Sequence, residues 1–215
     1  EVLYFLAGDS DPSVRRAIAA NPATPEQANA LLAADADEEV CGELARKIGR
    51  LLPNQAPDKT DKLRDLAMKT LQSLAEDQVP QVRAILAEEL KLRADAPRDV
   101  VLKLANDLAA IVAAPILEYS PLLSDADLVE IIAKGQLQDR LSAIARRQNV
   151  SADVSDAIVA TLDVPGVATL LANPSAQIRE ETLDAIVDSA AGIPNWHKPL
   201  VFRHELSLRA VRRIA

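Results

Sequence analysis

The stretch DSDPSVRRAIAANPATPEQ (Asp9–Gln27) indicates how the whole chain folds, because one short helix ends and another begins within it. Asp11 is a favourable N-cap, and Pro12 suits the first helical position, where its missing N–H breaks no hydrogen bond. Asn21-Pro22 ends that helix, since a residue before proline is pushed out of the α conformation. The stretch therefore predicts short helices joined at prolines.

The following helices are predicted from the same signals. Thr24 is the expected N-cap of the second helix, and Gln27 would complete its capping box. Further helix starts are predicted at Asp37, Thr60, Pro80, Pro97, Ser124, Ser151 and Pro199. Residues 97–111 are interpreted as one helix and 114–123 as an irregular segment. Because a proline inside a helix costs about 3 kcal/mol, all 13 prolines are expected at joints. No segment alternates like a strand, so the predicted fold class is all-α.

The helix starts recur along the chain. DPSVRRAIA (11–19), DADEEVCGELA (35–45), VPQVRAILA (79–87), LQDRLSAIA (137–145) and PSAQIREETLDAI (174–186) share a turn residue followed by spaced aliphatic residues. The aligned positions are Val14, Val40, Val82, Leu141 and Ile178. The interval from Val14 to Val82 spans two periods of about 34 residues. The interval from Val82 to Leu141 is long enough for an additional helix pair. Residues 98–135 fit the repeat worst.

Two phrases, DPSVR (11–15) and VPQVR (79–83), resemble the second-helix start of HEAT-like repeats. The resemblance implies that the Asp caps the helix and the Arg reaches the next repeat, forming a stacked polar ladder. ANPATPE (20–26) and LANPSAQIR (171–179) resemble a family of uncharacterised bacterial proteins, a domain of unknown function with HEAT-like or leucine-rich-variant repeats. This resemblance implies a right-handed α-solenoid of about six helix pairs and supplies no catalytic residues.

Composition narrows the classes of function. A net charge of −8 argues against a general nucleic-acid binder, which needs a broad basic face. The single cysteine excludes an intrachain disulfide and fits a reducing, cytoplasmic compartment. The longest apolar stretch, 108–117, is far shorter than the roughly 20 residues of a membrane span. The apolar opening EVLYFLAG and the ending LSLRAVRRIA suggest a piece of a longer protein.

The C-terminal end is the most unusual local feature. Residues 196–215 carry a net charge of +4, and Arg209, Arg212 and Arg213 lie beside an apolar stripe. These three arginines are the candidate binding residues. They could dock the helix on an acidic repeat or a missing domain, or contact an anion or nucleic acid, with Trp196 and Phe202 as the nearby aromatics.

Residues that could perform chemistry are few. Cys41 is interpreted as a small buried hydrophobe, because no His or Lys near it in sequence would lower its pKa. His197 and His204 are two potential metal ligands, too few for a site. The acidic segment DADEE (35–39) lacks the glycine and distal Glu of an EF-hand loop and suits a helix N-terminus. We therefore expect no catalytic, cofactor or metal site.

Three small residues, Gly42, Ala45 and Gly49, share one face of the helix that follows Asp37. A glycine inside a helix lowers stability by about 0.5–1 kcal/mol relative to alanine. A helix face made of small residues therefore indicates a requirement for close packing. We expect a neighbouring helix to cross closely over this face.

The function expected from this architecture is a non-catalytic scaffold that binds a protein partner along its helices, with residues 1–195 as the repeat domain and 196–215 as a basic C-terminal helix. One alternative is a sensory or docking module of a longer signalling protein. The other is a HEAT-like nucleic-acid-binding or DNA-repair protein. The oligomeric state and the partner are not specified by the sequence.

Overall fold

The computed structural model describes residues 1–51, 61–135 and 138–203, and within these ranges every regular element is a helix. The fourteen helices of the described residues are α1 Val2–Leu6, α2 Pro12–Ala20, α3 Glu26–Leu32, α4 Glu38–Leu51, α5 Asp61–Ala75, α6 Pro80–Leu90, α7 Arg98–Ala105, α8 Ala110–Tyr119, α9 Asp125–Ala133, α10 Gln138–Ala145, α11 Ala152–Ala160, α12 Val164–Ala172, α13 Glu180–Ala190 and α14 Pro194–Phe202. The all-α prediction is confirmed. No helix in the described part of the chain combines the length and apolar character that a membrane span requires.

Several helix starts follow the predicted chemistry. The Asp11 carboxylate accepts a hydrogen bond from Ser13 N at 2.8 Å, and α2 ends before Asn21 as expected. Ser124 and Asp127 form a capping box at the start of α9, and the Ser151 hydroxyl caps α11. The predicted starts at Thr60 and the joints at Pro53 and Pro57 lie outside the described residues.

The prediction for Thr24 is wrong. Pro25 is the N-cap of α3, and no side chain caps that helix. The buried Thr24 hydroxyl instead donates to Ile18 O at 2.7 Å, so it satisfies a carbonyl near the end of α2. The hydroxyl bonds to the preceding helix because the chain reverses direction between α2 and α3.

The predicted helix at 97–111 is two helices, and residues 114–119 of the predicted irregular segment belong to the second. Helix α7 ends before Asn106, and the Asp107 carboxylate accepts a bond from Ala109 N at 2.8 Å, which turns the chain into α8. Pro115 lies inside α8, so the prediction that every proline is a joint is wrong there. The carbonyl that Pro115 leaves unpaired belongs to Ile111, an exposed residue, where water can replace the lost bond.

The last described helix is also displaced from its prediction. Helix α14 begins at Pro194, and Pro199 lies within it. The proposed repeat start at 174–186 is wrong as well, because Ile178 precedes α13 and the corresponding helix is α12, which Asp163 caps. The long interval between Val82 and Leu141 does contain an additional helix pair, as expected.

The chain divides into two compact units, Glu1–Ile116 with Ser120–Leu122, and Leu117–Tyr119 with Leu123–Ala215. In the first unit, α4 packs between α2 and α6, while α5 packs between α3 and α7. In the second unit, α12 packs between α10 and α14, while α11 packs between α9 and α13. Helices α1–α7 and α9–α14 therefore each pack on a helix two places along the chain within their own unit, which makes an even-numbered and an odd-numbered layer.

Aliphatic residues fill the space between the layers. Large side chains with almost no exposure include Leu32, Leu44, Leu71, Leu86, Leu104 and Leu117. The only described aromatic residue of this kind is Trp196, whose indole N–H donates to Val164 O at 3.0 Å. The tryptophan considered above as a stacking surface is thus a core residue that joins α14 to α12.

Two arginines of the first unit, which we call the ladder arginines, bridge from one helix to the turn before the helix two places along the chain. Arg15 donates to both carboxylate oxygens of Asp35, at 2.6 and 2.9 Å. Arg83 repeats the arrangement with Asp107, at 2.6 and 3.0 Å. Each guanidinium also donates to the carbonyl of the aspartate that begins its own turn, Asp9 or Asp77. Each arginine therefore reaches the aspartate of a later turn, as the resemblance implied.

A second set of contacts runs in the opposite direction. Arg93 follows α6 and donates to Gly49 O and Arg50 O at the end of α4, at 3.2 and 3.4 Å. Arg203 follows α14 and donates to Leu171 O and Asn173 O at the end of α12, at 3.4 and 3.3 Å. Cations here offset the partial negative charge of a helix C-terminus and pair its unsatisfied carbonyls.

Candidate functional site

The three candidate binding arginines, Arg209, Arg212 and Arg213, lie outside the described residues, as does His204. Their predicted role stays a prediction, as does the proposed boundary at residue 195. His197 is exposed on α14, with its Nε2 2.7 Å from Ala190 O.

The feature best suited to binding in the first unit is a shallow groove on the even-numbered layer, which we call the α4 groove. Its volume is about 290 Å³, and α2, α4 and α6 contribute its walls. Gly42, Val82 and Ile85 supply an apolar floor, and Arg16, Glu38, Glu39, Glu43, Arg46 and Gln81 surround it. The sequence indicates a close helix contact at Gly42 but does not indicate the groove. The groove forms only where α2, α4 and α6, which are distant in sequence, meet.

The groove depends on Gly42. A Cβ atom there would lie 3.0 Å from Ile85 Cδ1, so a side chain would fill the space between α4 and α6. Two helical turns later, Gly49 is closer still to its neighbour, since its Cβ would lie 2.5 Å from Glu89 Cβ. Both glycines are buried, which confirms that a neighbouring helix crosses closely over this face.

The charges around the groove are arranged in pairs of opposite sign. Arg16 on α2 forms an ion pair with Glu39 on α4, and both side chains are substantially exposed. Arg46 and Glu43, one turn apart on α4, pair at 2.7 Å. Exposed pairs of this kind contribute little to stability, so their side chains can exchange partners at low cost. The rim of the groove therefore offers both carboxylate and guanidinium groups to a bound chain.

Cys41 occupies on α4 the position that the ladder arginines occupy on α2 and α6. Like Arg15 and Arg83, it lies six residues after the aspartate of its turn, and its thiol is 3.4 Å from Asp35 O. Burial and, to a smaller extent, the nearby Asp77 carboxylate raise the pKa of this thiol to about 11. Because the reactive species of cysteine is the thiolate, the thiol is inert at neutral pH. The prediction that Cys41 is buried is confirmed.

The acidic segment 35–39 is held by protein partners. The Asp35 carboxylate is paired with Arg15, which lowers its pKa through the hydrogen bond between them. Asp37 accepts a bond from Glu39 N at 2.9 Å at the start of α4. Within residues 1–51, 61–135 and 138–203, no group of three or more His, Cys, Asp or Glu is placed to hold a metal ion.

A buried lysine lies beneath the ends of α2 and α3, and the sequence pattern did not single it out. Lys47 donates to Asn29 Oδ1 at 2.7 Å and to Asn21 O at 3.2 Å. Asn29 in turn donates to Glu26 Oε2 at 3.1 Å. Burial lowers the pKa of Lys47 to about 8. These contacts pair the carbonyl of Asn21, the residue that follows α2, so the lysine has a structural role.

Comparison with known proteins adds a family for the C-terminal half. No curated protein matches the chain. Residues 112–215, from within α8 to the last residue, match the model of a family described as "Uncharacterised protein conserved in bacteria (DUF2336)". The family match supports the expected resemblance to a bacterial domain of unknown function, and it carries no assignment of repeat type, partner or activity.

Proposed function

We propose that the protein is a non-catalytic interaction module and that the α4 groove binds a segment of a protein partner. The observation that carries this proposal is the apolar floor of Gly42, Val82 and Ile85, which is flanked by charged side chains of both signs from α2 and α4. Such a groove can take an apolar side chain of a partner while its rim pairs with polar groups on either side.

We further propose that each unit is a short HEAT-like, right-handed α-solenoid. The packing of α1–α7 and of α9–α14 on helices two places along the chain supports this architecture, and so does the arginine ladder of the first unit. Stacked repeats present continuous surfaces along a layer, which proteins of this kind use to bind extended partners. A cytoplasmic location follows from the free cysteine as part of the same proposal.

The groove also favours a weak, reversible contact. Its volume of about 290 Å³ accommodates one or two side chains of a partner. Paired surface charges add specificity and speed of association more than affinity. A regulatory partner that binds and leaves is the best fit to this surface, in keeping with the alternative that the chain is a docking module of a longer signalling protein.

A nucleic-acid role is the weaker proposal. Three glutamates and two arginines surround the α4 groove, and phosphate groups would meet net negative charge there. Trp196 is buried in the core and cannot stack on a base. Duplex binding with a steep salt dependence would be the observation in favour of this alternative.

Affinity capture of the full chain from its native cell tests the proposal. The double variant Arg16→Glu/Arg46→Glu reverses two groove charges, and Lys62→Glu/Lys69→Glu makes the same change on exposed positions of α5. We expect a protein partner to be recovered with wild type and with the α5 control. Recovery should fall about 3- to 10-fold with the groove variant.

The proposal fails if the groove variant retains the partner as well as the α5 control does. It also fails if no protein is recovered while a small molecule binds specifically.

A further inference from the structure

A second groove lies on the even-numbered layer of the other unit, between the C-terminal parts of α12 and α14. Its volume is about 410 Å³, and Leu171, Pro174, Pro199 and Phe202 supply most of its apolar wall. Phe202 is 70% exposed, an unusual position for a large aromatic side chain. The groove is therefore open to solvent along the side that Phe202 forms, so it suits a chain segment better than an enclosed small molecule.

The two charged groups that line this groove among residues 138–203 are both cations. Lys198 is exposed on α14, and Arg203 closes the end of the groove after the helix. Arg203 donates to Ala176 O at 2.5 Å as well as to the carbonyls that end α12, so its charge offsets the negative end of that helix dipole. Among the described residues that line the groove there is no carboxylate.

The neighbouring helices show how this surface is filled within the fold. Helix α14 lies on α12 through Trp196, which is fully buried, and Leu200. Those two side chains complete the core, whereas Phe202 and Lys198 on the same helix face outward beyond it. The exposed phenyl ring thus adds nothing to the core that Trp196 and Leu200 already close, and it remains available to a partner.

We propose that the α12–α14 groove binds an amphipathic segment of a partner protein in which large apolar side chains stand next to carboxylates. The apolar residues pack on Phe202, Pro199 and Leu171, and the carboxylates lie near Lys198 and the Arg203 end. Charge complementarity selects this occupant, because an aliphatic segment with basic flanks would meet two like charges. The inference concerns a different surface from the α4 groove and rests on the proposed function only in assuming a protein partner.

Peptide selection tests the assignment directly. A random 12-residue peptide library displayed on phage is selected against the full chain, and enriched peptides are synthesised with a fluorescent label for anisotropy titration. We expect enriched sequences to combine Leu, Ile or Phe with Asp or Glu. Phe202→Ser should weaken their binding by about 10-fold or more, as loss of an aromatic anchor does. Lys198→Glu should weaken it by about 3- to 10-fold, and less at high salt.

Matched controls keep the result specific. Val201 is 59% exposed on the same helix and does not line the groove, so Val201→Ser should leave binding unchanged. Lys69→Glu makes the same charge change on α5 and should also have no effect. Phe202 is exposed, so its substitution removes no core contact, and unchanged thermal unfolding will confirm that the variant folds.

Four results would overturn the assignment. The first is that selection enriches basic peptides or enriches no peptide, and the second is that Phe202→Ser does not weaken binding. The third is that peptides bind only to a chain shortened after Arg203. The fourth is that light scattering detects a dimer that depends on Phe202. The third would show that the chain's own C-terminal residues take the groove, and the fourth that a second copy does. Since none of them involves Arg16 or Arg46, the α4 groove can fail or succeed independently.

Discussion

Gly49→Ala should destabilise the protein although alanine is the better helix former. The exchange gains about 1 kcal/mol in intrinsic helix propensity. The added Cβ would lie 2.5 Å from Glu89 Cβ, 3.2 Å from Glu89 Cγ and 3.8 Å from Glu89 Cα, so α6 must move away from α4. Overpacking of this kind costs about 1–3 kcal/mol. After the gain in propensity is subtracted, we expect a net loss of up to about 2 kcal/mol, measured by urea unfolding followed by circular dichroism.

Two further variants separate packing from propensity. Gly192→Ala is the matched control, because its Cβ would have no neighbour within 4 Å, and it should be neutral or slightly stabilising. The double variant Gly49→Ala/Glu89→Gly places the glycine on α6 instead of α4. It should recover part of the lost stability despite the poor helix propensity of glycine at position 89. The reasoning is refuted if Gly49→Ala unfolds at the same or a higher urea concentration than wild type.

Three other predictions follow from the titratable groups. Asp35→Asn should lower the free energy of unfolding at pH 7, because the lowered pKa of Asp35 stabilises the fold above about pH 3.9. In urea titrations the difference in stability between wild type and variant should shrink as the pH falls toward 3. A difference that stays constant would contradict the Arg15 pairing. Between about pH 8 and 10.5 the unfolded protein holds the Lys47 proton and the folded protein does not, so the free energy of unfolding rises with pH. Lys47→Met should flatten this rise. An unchanged slope across urea titrations at pH 7 to 10 would contradict the prediction. Cys41 should react with a disulfide reagent only as fast as the protein opens, because the thiol is buried and its pKa is about 11; labelling at pH 7 as fast as in urea would contradict it.

The helix starts were predictable where the signal is local. Asp11, Ser124 and Ser151 act as N-caps because one side chain and the next two or three backbone amides are sufficient for a cap. Thr24 was misassigned because its hydroxyl had two possible partners, and the distant carbonyl of Ile18 is the one that tertiary packing brings close.

The helix pair at 98–119 was missed for a related reason. Asp107 begins a turn equivalent to those at Asp9, Asp35 and Asp77, and its side chain accepts a bond from the amide two residues later, as theirs do. No proline marks that turn, and Pro115 gave a false breaking signal inside α8. A search for an aspartate followed six residues later by arginine or a small residue would have found it.

The candidate site was predictable only in part. Gly42 and Gly49 indicated a close helix crossing, which the contacts with Ile85 and Glu89 confirm. The α4 groove combines side chains from α2, α4 and α6, separated by 26 and 42 residues at their helix starts, so no local pattern could define it. Lys47 was overlooked because a lysine among apolar residues in sequence gives no sign of burial, whereas the fold places it under the carbonyl of Asn21.

Photo-cross-linking in the native cell tests the central claim, that the even-numbered layer of the first unit binds a protein partner. A benzophenone amino acid replaces Gln81, which is exposed on the rim of the α4 groove, or Ser73, which is exposed on α5 in the odd-numbered layer. The account predicts a discrete cross-linked protein at position 81 that is weak or missing at position 73 and is reduced by Arg16→Glu/Arg46→Glu. Equal adducts at both positions, or adducts at position 73 alone, would contradict it.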